Sequence, residues 1–184
     1  TMGGVVIILA TLIAWVIGAL VAGAGPSWSG FLLVFLFTGL GLIGLLDDGI
    51  KIMRQRSLGL HPSGKIIGQV VIASLFAGGT LIRPNEFGEL PGTLALSFAR
   101  PTALSFALAG TAVGVILYLI WTNLIVTAWS NATNLTDGLD GLAAGVSIFV
   151  FGAYTFIAYF QRIQACTQPS VNHSACYSTR DPLD

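Results

Sequence analysis

The sequence predicts an all-α polytopic membrane protein, and three observations carry that prediction. Hydrophobic residues make up 54% of the chain and charged residues only 9%, against roughly 25% charged in soluble domains. Mean hydropathy is +0.84. Five apolar runs approach or exceed the length needed to cross a bilayer. The formal net charge is zero, so the total says nothing about partners and only its distribution is informative.

The runs follow in order. The first, residues 4–24, contains no charge. The second, 31–46, is short for a crossing at ~1.5 Å rise per residue. The acidic pair directly after it is therefore expected at the headgroup boundary. The third covers 66–83. The fourth, 103–128, is long enough to tilt or to run past the membrane. The fifth covers 139–160. Glycines scattered through these runs permit close helix approach in a membrane and do not argue against helix. Between the third and fourth runs, Pro84, Asn85, Gly88, Pro91 and Gly92 make residues 84–102 turn-rich, a composition that could hold a short hairpin. There is no internal repeat, and residues 1–184 read as a single membrane domain. The chain opens at Thr1, closes on the polar DPLD and shows no signal-peptide pattern. It reads as an internal piece of a longer protein.

Charge sorts the loops. The segment from Asp47 to Lys65 holds Lys51, Arg54, Arg56 and Lys65, half of the eight basic residues and both lysines. The positive-inside rule makes it cytoplasmic, although Arg54 and Arg56 also suit simple anchoring to anionic headgroups. With five crossings, parity then puts SNATNLTDGLD on the same side. The 84–102 segment and the C-terminal tail fall outside. Cys166 and Cys176 both lie in that tail, where a disulfide can persist. Spacing alone leaves a bridge and two free thiols open.

Two constellations are candidates for chemistry. In LLDDGIK, Asp47 and Asp48 leave the hydrocarbon side by side, with Lys51 at i+4 and i+3 on a shared helix face. Adjacent carboxylates at a low-dielectric edge repel unless a cation compensates. Lys51 supplies one charge and a divalent cation would supply more. Magnesium suits such a site because it takes oxygen ligands together with substrate phosphates. The plainer reading is a solvated helix end with an ordinary ion pair. In NATNLTDGLDGLAAG, Asn131, Asn134, Asp137 and Asp140 recur every third residue. On a helix they would share a side. Gly138 and Gly141 point instead to a turn that a ligand can approach. Amides and carboxylates of this kind suit sugar hydroxyls, base edges and a metal. A helix N-cap would explain one aspartate, not the series.

Other readings fit less well. The spacing is not that of an EF-hand loop. There is no Gly-rich Walker loop and no Cys/His zinc spacing. Three Asn-X-Ser/Thr triplets occur, at Asn131, Asn134 and Asn172, but the first two face the cytoplasm in this topology. His61 and His173 stand alone as polar loop residues. A transporter would carry charge in mid-span, whereas these charges sit at ends and in loops. A structural scaffold would not need two acidic clusters on one face.

Four motifs in order, TMGG, LLDDGIK, RSLGLHPSGKIIGQ and NATNLTDGLDGLAAG, resemble the bacterial phospho-N-acetylmuramoyl-pentapeptide transferase family, of the glycosyltransferase family 4 type. The resemblance covers essentially the whole chain. The polyprenyl-phosphate N-acetylglucosamine-1-phosphate transferases share the DD pair and an NxxNxxDGxDGL segment. They typically lack the TMGG opening and the LGL…K…GQ loop.

The resemblance implies a fold of about ten helices, of which this chain holds about five. It also implies transfer of phospho-MurNAc-pentapeptide from its UDP derivative to undecaprenyl phosphate, giving lipid I and UMP. It casts Asp47 and Asp48 as the catalytic pair and metal ligands, with Mg2+ as cofactor. Lys51 and Lys65 would neutralise phosphate. Asn134, Asp137 and Asp140 would line the nucleotide-sugar site with Asn131 in support. The expected partners are UDP-MurNAc-pentapeptide, undecaprenyl phosphate and the bilayer, with a second copy of the chain as a candidate and no nucleic acid. The expected setting is the bacterial cytoplasmic membrane, with the active site on its cytoplasmic face. The segment before TMGG, a later metal-binding aspartate and a histidine-rich loop of the family are absent, so the isolated chain is expected to be inactive.

Overall fold

A computed structural model describes residues 3–21, 23, 26–55, 59–84, 90–97, 101–136, 138, 141–164, 166 and 176. The order is α1 (Gly3–Val21), α2 (Trp28–Arg54), α3 (Pro62–Ile82), β1 (Ala95–Ser97), β2 (Pro101–Ser105), a short 3-10 turn (Phe106–Ala109), α4 (Thr111–Thr136) and α5 (Leu142–Ile163). All five helices are long and apolar enough to cross a membrane. The chain is an all-α multi-pass membrane protein, as its composition predicts. Helices are the economical choice in hydrocarbon, because each satisfies its own backbone hydrogen bonds.

The helices depart from the apolar runs at several ends, two of them for an identifiable local reason. The second helix runs beyond the apolar stretch to Arg54, so Asp47, Asp48 and Lys51 share one helix, as their spacing predicts. Lys51 pairs with both aspartates along the helix face, so charge extends the helix instead of ending it. It stops where Gln55 turns left-handed, at φ 48°. The fourth helix starts at Thr111, not near 103, because β2 and the 3-10 turn occupy 101–109 and Gly110 breaks the chain at φ 101°. The short hairpin is present as the antiparallel pair β1–β2, with Ala95 opposite Ser105 and Ser97 opposite Pro101. It therefore sits later than expected.

The chain divides into two compact units, residues 1–130 and 131–184. In the first, α1 packs antiparallel to α2, with Ile8 against Gly41 and Trp15 against Gly30. Helices α2 and α3 meet along a close seam. A Cβ on Gly39 would come 2.9 Å from Ile72 Cγ2, and one on Gly79 would come 2.6 Å from Leu32 Cδ2. Missing side chains thus let the two helices approach, the usual source of packing energy where lipid is as apolar as leucine. The Trp28 indole Nε1 donates across the same seam to the Gly79 carbonyl at 3.1 Å. Arg83 lies over the Trp28 ring, 5.5 Å from its centroid.

The opposite side of α3 meets α4 through polar pairs. Gln69 Nε2 donates to Ser130 Oγ at 3.0 Å, and Asn123 Nδ2 donates to Ser74 Oγ at 3.0 Å. Thr80 Oγ1 lies 2.8 Å from Tyr118 OH. Thr80 gives its only proton to the Ala77 carbonyl at 2.7 Å, so Tyr118 is the donor to Thr80. The partners rise along α3 as they descend α4, so these helices are antiparallel too. Gln69, Ala73, Ala77 and Thr80 form the buried stripe of α3.

The second unit holds the last turns of α4, a turn through Gly141 (φ 80°) and α5. No described residue of α5 is buried, and Phe149 is 80% exposed. Cys166 and Cys176 are disulfide-bonded, with Cα atoms 4.9 Å apart.

Filling the α2–α3 seam should destabilise it. Gly39→Val and Gly79→Val are each expected to cost about 1–3 kcal/mol by overpacking, read as a lower thermal midpoint in detergent. Gly44→Ala adds a Cβ that meets nothing within 4 Å and should leave the midpoint unchanged. Gln69→Leu removes the donor to Ser130 and is expected to cost about 1 kcal/mol by the same measurement.

Candidate functional site

The site is built on the end of α2. At ~1.5 Å per residue, the 27 residues of α2 span about 40 Å. A hydrocarbon core is about 30 Å thick. A helix of this length can carry its last turns out of the hydrocarbon, and those turns hold Asp47, Asp48, Lys51 and Arg54. The helix dipole favours the two basic residues near this C-terminus and disfavours the two aspartates. The aspartates therefore need a local cation.

Lys51 is that cation. Its Nζ donates to Asp47 Oδ2 at 2.7 Å and to Asp48 Oδ1 at 3.2 Å. The sequence reading of one lysine facing both carboxylates holds. The two aspartates are nevertheless unequal. The Asp47 side chain is 13% exposed and the Asp48 side chain 46%. Asp47 also accepts a second short bond on its other oxygen, from the Leu60 backbone N–H at 2.7 Å. Lys65, in the first turns of α3 and half-buried, adds a second positive charge that acts on Asp47. His61 stands at the N-cap of α3 with Nδ1 2.7 Å from Ser63 Oγ, on the exposed surface. That is the polar loop role expected of it.

Sequence reasoning missed Gly59 and the Leu60 amide. A backbone donor has no signature in residue identity. The one available sign was a glycine between two leucines in a basic loop.

The second constellation lies in the other unit. Asn131, half-buried, and Asn134, exposed, sit in the last turns of α4, so the spacing of three falls on helix at these positions. Gly138 donates its N–H to the Leu135 carbonyl at 3.2 Å, and Gly141 takes a positive φ. Both glycines thus stand at turn positions. Asp137 and Asp140 lie outside the described residues.

Whether the acidic pair suits magnesium turns on its oxygens. Among the described residues no group of three or more Asp, Glu, His or Cys comes together. Two carboxylates are enough only where substrate phosphates and water complete the shell. Both Asp47 oxygens already accept short bonds. The half-exposed Asp48 is the better ligand in kind. The pair fits a substrate-completed site and does not fit an all-protein cage.

Comparison with known proteins gives the family. The family model for glycosyl transferase family 4 matches residues 30–175. The chain is 53% identical to a phospho-N-acetylmuramoyl-pentapeptide-transferase of Beutenbergia cavernae, with all of this chain and 51% of the relative aligned. It is 49% identical to the protein of that name from Paenarthrobacter aurescens, covering 52% of it, and 46% identical to that of Cutibacterium acnes, covering 50%. The chain thus spans about half the length of these curated relatives. No solved structure matches it. With the match running through the acidic helix end, the α3–α4 core and the asparagine-rich turn, the chain belongs to glycosyl transferase family 4.

Proposed function

We propose that the full protein carrying this chain transfers phospho-MurNAc-pentapeptide from its UDP derivative to undecaprenyl phosphate, releasing UMP and forming lipid I. The observation that carries this is the Asp47–Asp48–Lys51 cluster at the end of a membrane-spanning helix. A lipid phosphate rests at headgroup depth, and a water-soluble nucleotide sugar can meet it there. The relatives' names support the substrate class. The basic loop supports a cytoplasmic site by the positive-inside rule.

The reaction joins an anionic acceptor to an anionic diphosphate, so alignment and charge neutralisation dominate. Lys51 and Lys65 serve as point cations towards phosphate oxygens. Asp48, with the substrate's own phosphates, would hold magnesium, which supplies charge neutralisation at the diphosphate. Asp47 keeps Lys51 in place. No strong base is needed at the acceptor, because a phosphate monoester with a second pKa of about 6 is largely dianionic at neutral pH. Asn134, Asp137 and Asp140, with Asn131 in support, are assigned to the nucleotide-sugar by the resemblance of their segment to the transferase family, and amides and carboxylates suit that ligand.

The test is UMP release by the full-length protein in detergent, with undecaprenyl phosphate and magnesium. UDP-MurNAc-pentapeptide and UDP-GlcNAc are offered separately. Release with the muramyl donor alone is expected. Release with UDP-GlcNAc alone would move the protein to the N-acetylglucosamine-1-phosphate transferases. Silence with both in a folded sample would sink the assignment. Asp47→Asn and Asp48→Asn should each lower turnover by on the order of 100-fold or more, with little change in thermal midpoint. Normal turnover in both variants would remove the acidic pair from catalysis.

A further inference from the structure

The turn at Gly59 and Leu60 returns to α2 thirteen residues after Asp47 and closes on its carboxylate. Leu60 N–H donates to Asp47 Oδ1 at 2.7 Å while Lys51 Nζ holds Oδ2 at 2.7 Å. Gly59 is what lets the backbone come so near. A Cβ there would overlap Asp47 Oδ1 and would stand 2.7 Å from the Asp47 carbonyl and 2.8 Å from Lys51 Cε. No other residue fits without moving the aspartate, the lysine or the turn.

We propose that the Gly59–Leu60 backbone is the positioning element of the acidic pair. It fixes Asp47 as the anchor of Lys51 and so divides the labour between two chemically identical side chains. Asp47 faces inward and orients the ammonium. Asp48, nearly half exposed, is the carboxylate presented to phosphate or metal. A rigid amide suits this task, since it cannot follow the carboxylate as a side-chain donor would. Displacing the turn frees Asp47 to rotate, and Lys51 then loses its shorter contact and its aim. The catalytic half of this proposal rests on the transferase reading above. The structural half does not.

The experiment separates the two halves. Full-length protein is treated in detergent with a water-soluble carbodiimide and an amine, and labelling at Asp47 and Asp48 is resolved by peptide fragmentation. Asp48 is expected to label several-fold faster than Asp47 in the unaltered protein. Gly59→Ala, and separately replacement of the Leu60 amide by an ester, should bring Asp47 up to the Asp48 rate. The ester removes only the N–H, so it keeps the test open if the alanine variant folds poorly. In turnover assays both variants should lose kcat by on the order of 10- to 100-fold while KM for the donor stays within about twofold. That split is one a merely structural defect would not produce. Gly44→Ala should match the unaltered protein throughout.

Equal labelling of the two aspartates in the unaltered protein overturns the clamp. Faster Asp47 labelling with unchanged kcat overturns its positioning role. An unaltered protein that protects Asp47 yet releases no UMP from either donor upholds the clamp and overturns the transferase reading instead.

Discussion

A carboxylate at the edge of the hydrocarbon has to be neutralised where it stands, and Asp47 is where this chain meets that demand. Its two oxygens are taken by the Lys51 ammonium, one turn along α2, and by the Leu60 amide, thirteen residues along the chain. The first contact lets α2 continue past the pair to Arg54. The second brings Gly59 and Leu60 back against α2, two residues ahead of the start of α3. One side chain therefore ties the end of one helix to the entry of the next. Pro62 at the first turn of α3 completes that entry, since it lacks the N–H that a helix start would leave unsatisfied.

From that entry α3 organises the first unit by presenting different chemistry to its two neighbours. Towards α2 it shows Gly79 and Ile72, and the contact is close. Towards α4 it shows Gln69, Ser74 and Thr80, and the contact is a ladder of hydrogen bonds. Neither kind relies on burying large apolar side chains, which gain little by leaving lipid. Only small or polar residues plus Leu32 are fully buried among the described residues, while leucines, isoleucines and phenylalanines face outward. This inversion of the soluble pattern leaves little give in the α2–α3 seam beneath the site.

The coarse architecture was legible in the sequence because hydropathy and length are sufficient for membrane helices. The ion pair was legible because i, i+3 and i, i+4 geometry follows from numbering alone. Hydropathy alone shows less of α2 than its spacing does: the apolar run ends at residue 46, while the helix continues through the neutralised acidic pair to Arg54. The start of α4 was misplaced because TALSFALA is as apolar as a span, yet pairs as strand and tightens into a 3-10 turn before Gly110. The α3–α4 ladder and the Leu60 amide were invisible for a common reason. Both depend on partners many positions apart, or on backbone, and neither leaves a periodic trace.

The charges at the acidic pair bear on the proposed chemistry. Among the described side chains, the carboxylates of Asp47 and Asp48 face the ammoniums of Lys51 and Lys65, and these four groups sum to zero. A neutral cluster offers a diphosphate no net attraction, however well its lysines are aimed. Removing the carboxylates would raise that attraction, so charge alone does not account for an acidic pair. The pair becomes intelligible once its members are separated. Asp47 spends its charge on holding Lys51, and Asp48, nearly half exposed, is the carboxylate through which a divalent cation would be recruited with the substrate's phosphates. On the proposed reading, Asp48 would hold a divalent cation only together with the donor's phosphates. The affinity of the proposed site for the metal should then depend on the diphosphate, and its affinity for the diphosphate on the metal, by the same factor.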